Sequence, residues 1–138
     1  MDWLYRGSPV KHPPVASISF VYRIYNTQTG KTYIGKKGLL KSKLKKSGNR
    51  KSRIFVKSDW EDYYGSNKEL LADVAALGKE HFVREILRWC DTKGDASYYE
   101  IKYQLQYEVL EHPEKFYNVF IGCRIHRNHL SMHKKPRY

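Results

Sequence analysis

Residues 20–37 read FVYRIYNTQTGKTYIGKK, and this stretch decides the fold. It belongs to a segment with alternating character, in which one face carries Ile18, Phe20, Tyr22 and Ile24. A period of two with β-branched and aromatic residues is typical of a strand. The residues NTQTG supply turn chemistry, because Asn and Gly tolerate left-handed backbone. KTYIG then predicts the returning strand, so we expect a β-hairpin over 18–35.

The charge of the chain points to a polyanionic partner. Its 138 residues include 26 Lys and Arg against 14 Asp and Glu, which gives a net charge of +12. A surplus of this size attracts nucleic acid or an anionic membrane surface. Because aromatic residues make up 14% of the chain, a disordered basic tail is disfavoured. We therefore expect one folded domain that faces nucleic acid.

The sequence gives little sign of a membrane or secreted protein. It holds no run of 18 apolar residues, and residues 1–15 lack the apolar centre of a signal peptide. Two cysteines, Cys90 and Cys123, do not make a disulfide framework. The expected compartment is the cytoplasm, or a host cytoplasm if the chain is virus-encoded.

The remaining segments predict a small α+β domain over 17–120. Three prolines predict an irregular N-terminal arm over 1–16. SNKELLADVAALG (66–78) predicts a helix with Ser66 and Glu69 as a capping box and Gly78 as C-cap. HFVREILRWC (81–90) predicts a third strand. ASYYEIKYQLQYEVLEH (96–112) predicts a second helix, stopped near Pro113, whose buried stripe is Ile101, Leu105 and Val109.

Two basic segments flank this pattern. Residues 36–57 hold ten Lys or Arg and no acid, and residues 121–138 form a basic C-terminal tail. Blocks of like charge are typical of a solvated loop, but the same block suits contact with phosphates. We expect a small three-stranded antiparallel sheet flanked by helices, with a basic insertion loop at 36–57.

Four residues carry a possible chemistry. Tyr22 and Tyr33 lie on opposite arms of the predicted hairpin and are expected to be near neighbours. Glu100 lies near the start of the second helix, and Asn118 follows that helix. Two hydroxyls, a cation and one fixed carboxylate suit phosphodiester hydrolysis with a single divalent metal ion. A tyrosine can orient or deprotonate the attacking water.

These residues and their neighbours resemble the GIY-YIG nuclease family. FVY at 20–22 and YIG at 33–35 match its two strand motifs, with Phe20 and Val21 departing from the first. YYGSNKELLADVAALGKEHFVREIL resembles the central passage of the family, YYEIKYQLQYEVL its glutamate helix and FYN its asparagine motif. The resemblance covers about residues 18–120.

The resemblance implies a DNA endonuclease that leaves 5′-phosphate and 3′-hydroxyl ends. Tyr22 would activate or orient water, Tyr33 would support it or contact the phosphate, Glu100 would bind Mg²⁺ or Mn²⁺, and Asn118 would brace the site. The arginine that the family places after YIG has no clear equivalent, so Lys37 and Arg53 are the expected phosphate ligands. DNA contacts are expected from Lys36, Lys41, Lys43, Lys45, Lys46, Arg50, Lys51, Arg124, Arg127, Lys134 and Lys135.

Other interpretations remain open from the residues alone. Ser97 and Glu100 have the spacing of a capping box. Tyr99, Tyr103 and Tyr107 form either a packing ridge or base-stacking platforms. The set Cys123, His126, His129 and His133 superficially resembles a zinc site, but it lacks the paired CxxC, and a DNA-contacting tail is the simpler interpretation. At the level of function, the alternatives are a non-catalytic nucleic-acid-binding module on the same scaffold and an assembly protein of a nucleoprotein particle.

Overall fold

The predicted hairpin forms the centre of the sheet in the computed structural model, which describes residues 2–122 and 127–131. Strands β3 (Ser19–Asn26) and β4 (Thr32–Gly38) pair antiparallel, with Tyr22 opposite Gly35. Strand β7 (Phe82–Cys90) pairs antiparallel on the other side of β3. The α+β class and these three strands agree with the sequence analysis.

The sheet is larger than predicted, because the N-terminal arm joins it. Strands β1 (Leu4–Tyr5) and β2 (Ser8–Pro9) form a small hairpin, and β1 pairs parallel with β7. The result is a mixed five-stranded sheet in the order β2-β1-β7-β3-β4. The predictions of a three-stranded sheet and of an irregular arm are therefore wrong for residues 4–9. Two-residue strands are too short to show any periodicity in sequence.

The basic segment is also ordered. Strands β5 (Leu40–Ser47) and β6 (Arg50–Lys57) pair with each other in a separate two-stranded sheet, which we call the basic ribbon (residues 40–57). Gly48 takes a φ of 60° at the first central position of its two-residue turn, as a type II′ hairpin requires. The prediction of a loop over 36–57 is wrong, since residues 36–38 belong to β4 and the rest form this hairpin.

Helix α1 (Lys68–Leu77) begins at Asn67 rather than at the predicted Ser66. The Asn67 side chain accepts a hydrogen bond from the Leu70 backbone N–H at 2.9 Å. Gly78 ends the helix as predicted, with its N–H bonded to the Val74 carbonyl. Single 3₁₀ turns cover Trp60–Asp62, Lys79–His81 and Arg127–His129.

Helix α2 (Lys93–Gln106) is shifted toward the N-terminus relative to the prediction of 96–112. Thr92 caps it, because its hydroxyl accepts from the Asp95 N–H at 3.0 Å. The predicted buried stripe is wrong at Leu105, which is exposed; the buried residues of the helix are Asp95, Ala96 and Gln104.

Both faces of the sheet are covered, because alternate residues of β3 enter different cores. Phe20, Tyr22 and Ile24 belong to a cluster that includes Leu70 and Val74 of α1. Val21 belongs to a second cluster on the side of α2, against which Tyr99 and Tyr103 also pack, whereas Tyr107, the third residue of the proposed packing ridge, is exposed. No helix within the described residues is long and apolar enough to cross a membrane.

Candidate active site

The site is built along the outer edge of β4, where backbone groups of alternate residues need partners. At Thr32 the partner is backbone: its N–H donates to the Lys115 carbonyl and its carbonyl accepts from Tyr117, both at 2.9 Å. At Ile34 the partner is a side chain. Asn118 accepts from the Ile34 N–H at 3.1 Å and donates to the Ile34 carbonyl at 2.9 Å. Asn118 thus continues the pairing that residues 115–117 begin.

Glu100 is the next partner along this edge. Burial raises the pKa of its carboxyl group, while the charge and the backbone N–H of Lys36 act to lower it. One turn further along α2, Gln104 donates to the Ile34 carbonyl at 3.0 Å. The edge of β4 therefore fixes the glutamate helix against the strand that carries the YIG sequence.

A cavity of about 340 Å³ opens at this edge between the α1 and α2 sides of the sheet. The residues from the sequence analysis that line it are Tyr22, Tyr33, Lys36, Glu100 and Asn118. Four predicted catalytic residues thus share one cavity, although their side chains come from two strands, a helix and the segment after it.

The two tyrosines are packed diagonally across the hairpin. The Tyr22 and Tyr33 ring centroids are 6.2 Å apart, and Tyr63 contacts Tyr22 edge-on at 5.9 Å. Burial, followed by the neighbouring Tyr63 and Tyr33, raises the pKa of the Tyr22 hydroxyl well above its ordinary value. Burial likewise raises the pKa of Tyr33. Both phenols are therefore neutral near pH 7.

Glu100 is a partly buried carboxylate that is free to bind a cation. Burial raises its pKa, against the lowering effect of Lys36. None of the ion pairs found in the described part of the chain includes Glu100. The capping-box interpretation is wrong, because Thr92 caps the helix and Ser97 lies within it.

Within the described part of the chain, the cation that lines the cavity is Lys36, not the predicted Lys37 or Arg53. The Lys36 ammonium donates to the Ser97 hydroxyl at 2.6 Å. Lys37 is turned away by strand alternation; its ammonium lies 2.7 Å from Asp59 and 4.1 Å from the centroid of the Tyr63 ring. Arg53 lies on the exposed basic ribbon opposite Leu44. The structure does not bring these two residues to the cavity.

Apart from Lys36, the described residues among those predicted to contact DNA lie away from the cavity. Arg127 is exposed in a 3₁₀ turn, whereas Arg124, Lys134 and Lys135 lie outside the described residues. The exposed ribbon positions are Lys41, Lys43, Lys45, Lys46, Arg50 and Lys51. Of the Cys123/His126/His129/His133 set, only the His129 backbone is described. Within residues 2–122 and 127–131, no group of three or more His, Cys, Asp or Glu is placed to hold a metal ion.

Sequence reasoning missed several residues around the cavity. Ser66 and Asn67 line it from the start of α1, and Gln104 lines it from α2. Gln104 follows Glu100 by four residues, so helical spacing placed both on one face and was a usable signal. Ser66 carried no comparable signal in the sequence. Its hydroxyl oxygen lies 3.5 Å from the hydroxyl oxygen of Tyr33, a contact that only the folded chain creates.

One carboxylate, one lysine and two neutral phenols in a shared cavity define a site suited to phosphate chemistry. The comparisons with known proteins agree with this class. A family model described as "Putative endonuclease segE, GIY-YIG domain" matches residues 3–121. The chain therefore belongs to the GIY-YIG family, whose members are nuclease-type hydrolases. No curated protein and no solved structure gives a significant match.

Proposed function

We propose that the protein is a DNA endonuclease that depends on one divalent metal ion, Mg²⁺ or Mn²⁺. It hydrolyses a phosphodiester bond and leaves 5′-phosphate and 3′-hydroxyl ends. The observation that carries the proposal is the convergence of Tyr22, Tyr33, Lys36 and Glu100 on the cavity at the β4 edge.

Glu100 would hold the metal ion. A lone carboxylate without a competing ion pair fits Mg²⁺, which keeps several waters and binds through one or two carboxylates together with substrate phosphate. The bound ion supplies Lewis-acid stabilisation of charge on the leaving oxygen. Glu100 and Lys36 both line the cavity, so the carboxylate is accessible from the space that the metal ion and the phosphate would share.

Tyr22 orients the attacking water rather than acting as an unaided base. Because its pKa is raised by burial, the hydroxyl keeps its proton at neutral pH and serves as a hydrogen-bond donor and acceptor. Tyr33 also lines the cavity and is less buried, which suits contact with the scissile phosphate.

Lys36 takes the role that the sequence analysis assigned to Lys37 and Arg53. Its exposed ammonium, next to Ser97, binds the phosphate as a point charge. Asn118 contributes indirectly. It forms hydrogen bonds with both backbone groups of Ile34 and so fixes the part of β4 that lies between Tyr33 and Lys36.

Cleavage of supercoiled plasmid tests the proposal. Wild-type protein with Mg²⁺ or Mn²⁺ is expected to nick the plasmid, and EDTA or Glu100→Gln is expected to abolish nicking. Tyr22→Phe is expected to lower the rate about 100-fold, within the range typical of general acid–base groups. Ligation of the purified nick without kinase treatment checks the 5′-phosphate and 3′-hydroxyl ends. Salt-sensitive binding without cleavage under all metals and substrates, branched DNA included, would instead support a non-catalytic binding module.

A further inference from the structure

The basic ribbon has a surface that the catalytic site does not explain. Every residue of β5, and every residue of β6 except Val56, is exposed. The ribbon carries no Asp or Glu and eight cations, namely Lys41, Lys43, Lys45, Lys46, Arg50, Lys51, Arg53 and Lys57. Its strands pair only with each other.

The register divides these cations equally between the two faces of the ribbon. Residues directly opposite each other share a face, and successive residues alternate. Because Leu44 lies opposite Arg53 and Lys46 opposite Lys51, one face, the Leu44 face, holds Lys46, Lys51, Arg53 and Lys57. The other face, the Ile54 face, carries Ile54 opposite Lys43 and holds Lys41, Lys43, Lys45 and Arg50.

Beyond its base, where Lys57 is paired with Glu61, such a ribbon gains little stability from the rest of the fold. A lone two-stranded hairpin is marginally stable in water, and like charges directly opposite each other, as in Lys46 and Lys51, weaken it further. Leu44 and Phe55 are 63% and 65% exposed on the Leu44 face. The features together indicate a surface that a polyanion covers.

Because cations lie on both faces of the ribbon, they favour a polyanion that surrounds the ribbon over one that lies against a single face. A membrane surface, or one DNA strand lying against the ribbon, would meet cations on one face only. Phosphates on both sides are found in a groove of a nucleic-acid duplex. The major groove of B-DNA is about 12 Å wide and admits a two-stranded ribbon, whereas the minor groove, about 6 Å wide, is too narrow. The deep, narrow major groove of A-form RNA also excludes it.

The ribbon is firmly anchored next to the cavity. Leu39, which joins β4 to β5, is buried, donates to the Ile18 carbonyl at 2.8 Å and accepts from the Ser58 N–H at 2.9 Å. The Ser58 hydroxyl also donates to the Gly38 carbonyl at 2.5 Å. The ribbon starts four residues after Lys36, so at most about 13 Å of extended chain separates the two.

We propose that the basic ribbon inserts into the major groove of a B-form DNA duplex and holds that duplex against the β4-edge cavity. This inference rests on the proposed function and narrows its substrate to double-stranded DNA, with contacts within about one helical turn, or 10 bp, of the cut.

Binding to a 30-bp DNA duplex in EDTA, in a Glu100→Gln background, tests the proposal without requiring cleavage. Two triple variants remove three cations from each face, Lys46→Gln/Lys51→Gln/Arg53→Gln and Lys43→Gln/Lys45→Gln/Arg50→Gln. A control triple, Lys79→Gln/Lys102→Gln/Lys115→Gln, makes the same charge change at exposed positions away from the ribbon.

Both ribbon triples are expected to weaken duplex binding by at least about tenfold and to reduce the slope of log K against log salt by about 2 to 3. The control triple is expected to leave the slope within about 1 of the parent. Methylation of guanine N7, which lies in the major groove, is expected to interfere with binding of the unmutated ribbon; this measurement does not depend on any variant folding.

Several results would overturn the proposal. Loss of binding from one face only would indicate a one-sided contact. Binding of single-stranded DNA or an RNA duplex as tightly as duplex DNA would contradict insertion into a B-form groove, and so would the absence of any effect of N7 methylation. Binding to vesicles of 30% phosphatidylserine that is lost in both triples, with duplex binding unchanged, would indicate a membrane surface. If duplex binding behaves as expected but wild type cuts no DNA, the proposed endonuclease fails and the ribbon assignment stands.

Discussion

At the scale of single residues, Gly35 connects the YIG sequence to the geometry of the site. It lies opposite Tyr22 in the hairpin. A Cβ at position 35 would lie 2.6 Å from the Tyr22 hydroxyl oxygen and 3.0 Å from the Tyr33 ring. The first distance is shorter than real Cβ contacts and the second is tighter than most of them, so the buried Tyr22 side chain, which is 1% exposed, would have to shift. The glycine is therefore needed for space, not for backbone freedom.

Gly35→Ala is expected to displace the Tyr22 hydroxyl and to lower plasmid cleavage at least tenfold. Overpacking of this kind costs about 1–3 kcal/mol in the free energy of unfolding, measurable by urea denaturation. Full activity in Gly35→Ala would show that the Tyr22 position is not critical.

Glu100 makes stability depend on pH. Because burial raises its pKa above the ordinary 4.5, the folded state holds the proton more tightly than the unfolded state. The contribution of protonated Glu100 to the free energy of unfolding is fully present below about pH 4. It is lost as the pH rises through the pKa of Glu100 in the folded state. In EDTA, Glu100→Gln is therefore expected to have a higher Tm than wild type at pH 7 and no advantage at pH 4. A lower Tm at pH 7 would contradict this assignment.

At this scale, the sequence analysis selected residues that the fold brings to one place, and their catalytic roles stay a prediction. Tyr22, Tyr33, Glu100 and Asn118 do line one cavity. The sequence analysis chose Lys37 as a phosphate ligand, but it is Lys36 that lines the cavity. The two side chains point to opposite faces of β4, and the sequence does not show which face the cavity lies on, because that depends on how the helices pack. The attachment of Lys37 to Asp59 was equally invisible, because their pairing depends on the chain path through the ribbon.

At the scale of elements, the outer edge of β4 organises the site. Backbone pairing at Thr32, side-chain pairing at Ile34 and the position of Glu100 beside Lys36 at the cavity follow one another along the strand. An exposed edge is normally a liability, and here it is covered by the residues that also build the cavity.

Asn118→Ala is expected to destabilise the fold by about 1–3 kcal/mol in urea denaturation, because it leaves the buried Ile34 N–H without a partner. Gln104→Ala is the matched comparison. It removes a bond to the Ile34 carbonyl, which still accepts from Asn118, so a smaller loss is expected. An equal or larger loss in Gln104→Ala would contradict the view that Asn118 closes the β4 edge.

The elements show which local signals were usable. The 18–35 hairpin followed from alternation and turn residues. The Gly48-Asn49 pair was an equally good hairpin signal, but the lysines around it hid the alternation of the ribbon strands. The start of α2 was missed because Thr92 lies before a glycine-containing segment that reads as a turn, and its role as cap follows from the helix geometry.

At the scale of the whole molecule, the N-terminal residues complete the core beneath the site. Trp3 is 2% exposed, and its indole N–H donates to the Trp60 carbonyl at 2.7 Å. Its ring lies 5.0 Å from that of Phe20 and 5.3 Å from that of Tyr22. These contacts join Trp3 to residues of β3 that are distant in sequence. No sequence pattern marks them, so the N-terminal arm was predicted to be irregular.

Trp3→Ala is expected to cost about 3–5 kcal/mol of stability, the usual range for removing a buried tryptophan. Tm and urea midpoint are the measurements. Val15→Ala, at a fully exposed position of the same N-terminal segment, is expected to change stability by less than about 0.5 kcal/mol. Similar effects in the two variants would mean that the N-terminal strands are not part of the core.

The measurement that tests the central claim most directly compares plasmid cleavage by Lys36→Ala and Lys37→Ala. The two variants make the same change at adjacent positions of β4, one lining the cavity and one paired with Asp59. We predict that Lys36→Ala lowers the cleavage rate about 100-fold with the fold intact, as loss of a charge-stabilising donor does. Lys37→Ala is predicted to stay within about threefold of wild type, since a surface ion pair contributes about 0–1 kcal/mol. Full activity in Lys36→Ala together with an inactive, folded Lys37→Ala would contradict the assignment of the β4-edge cavity as the active site.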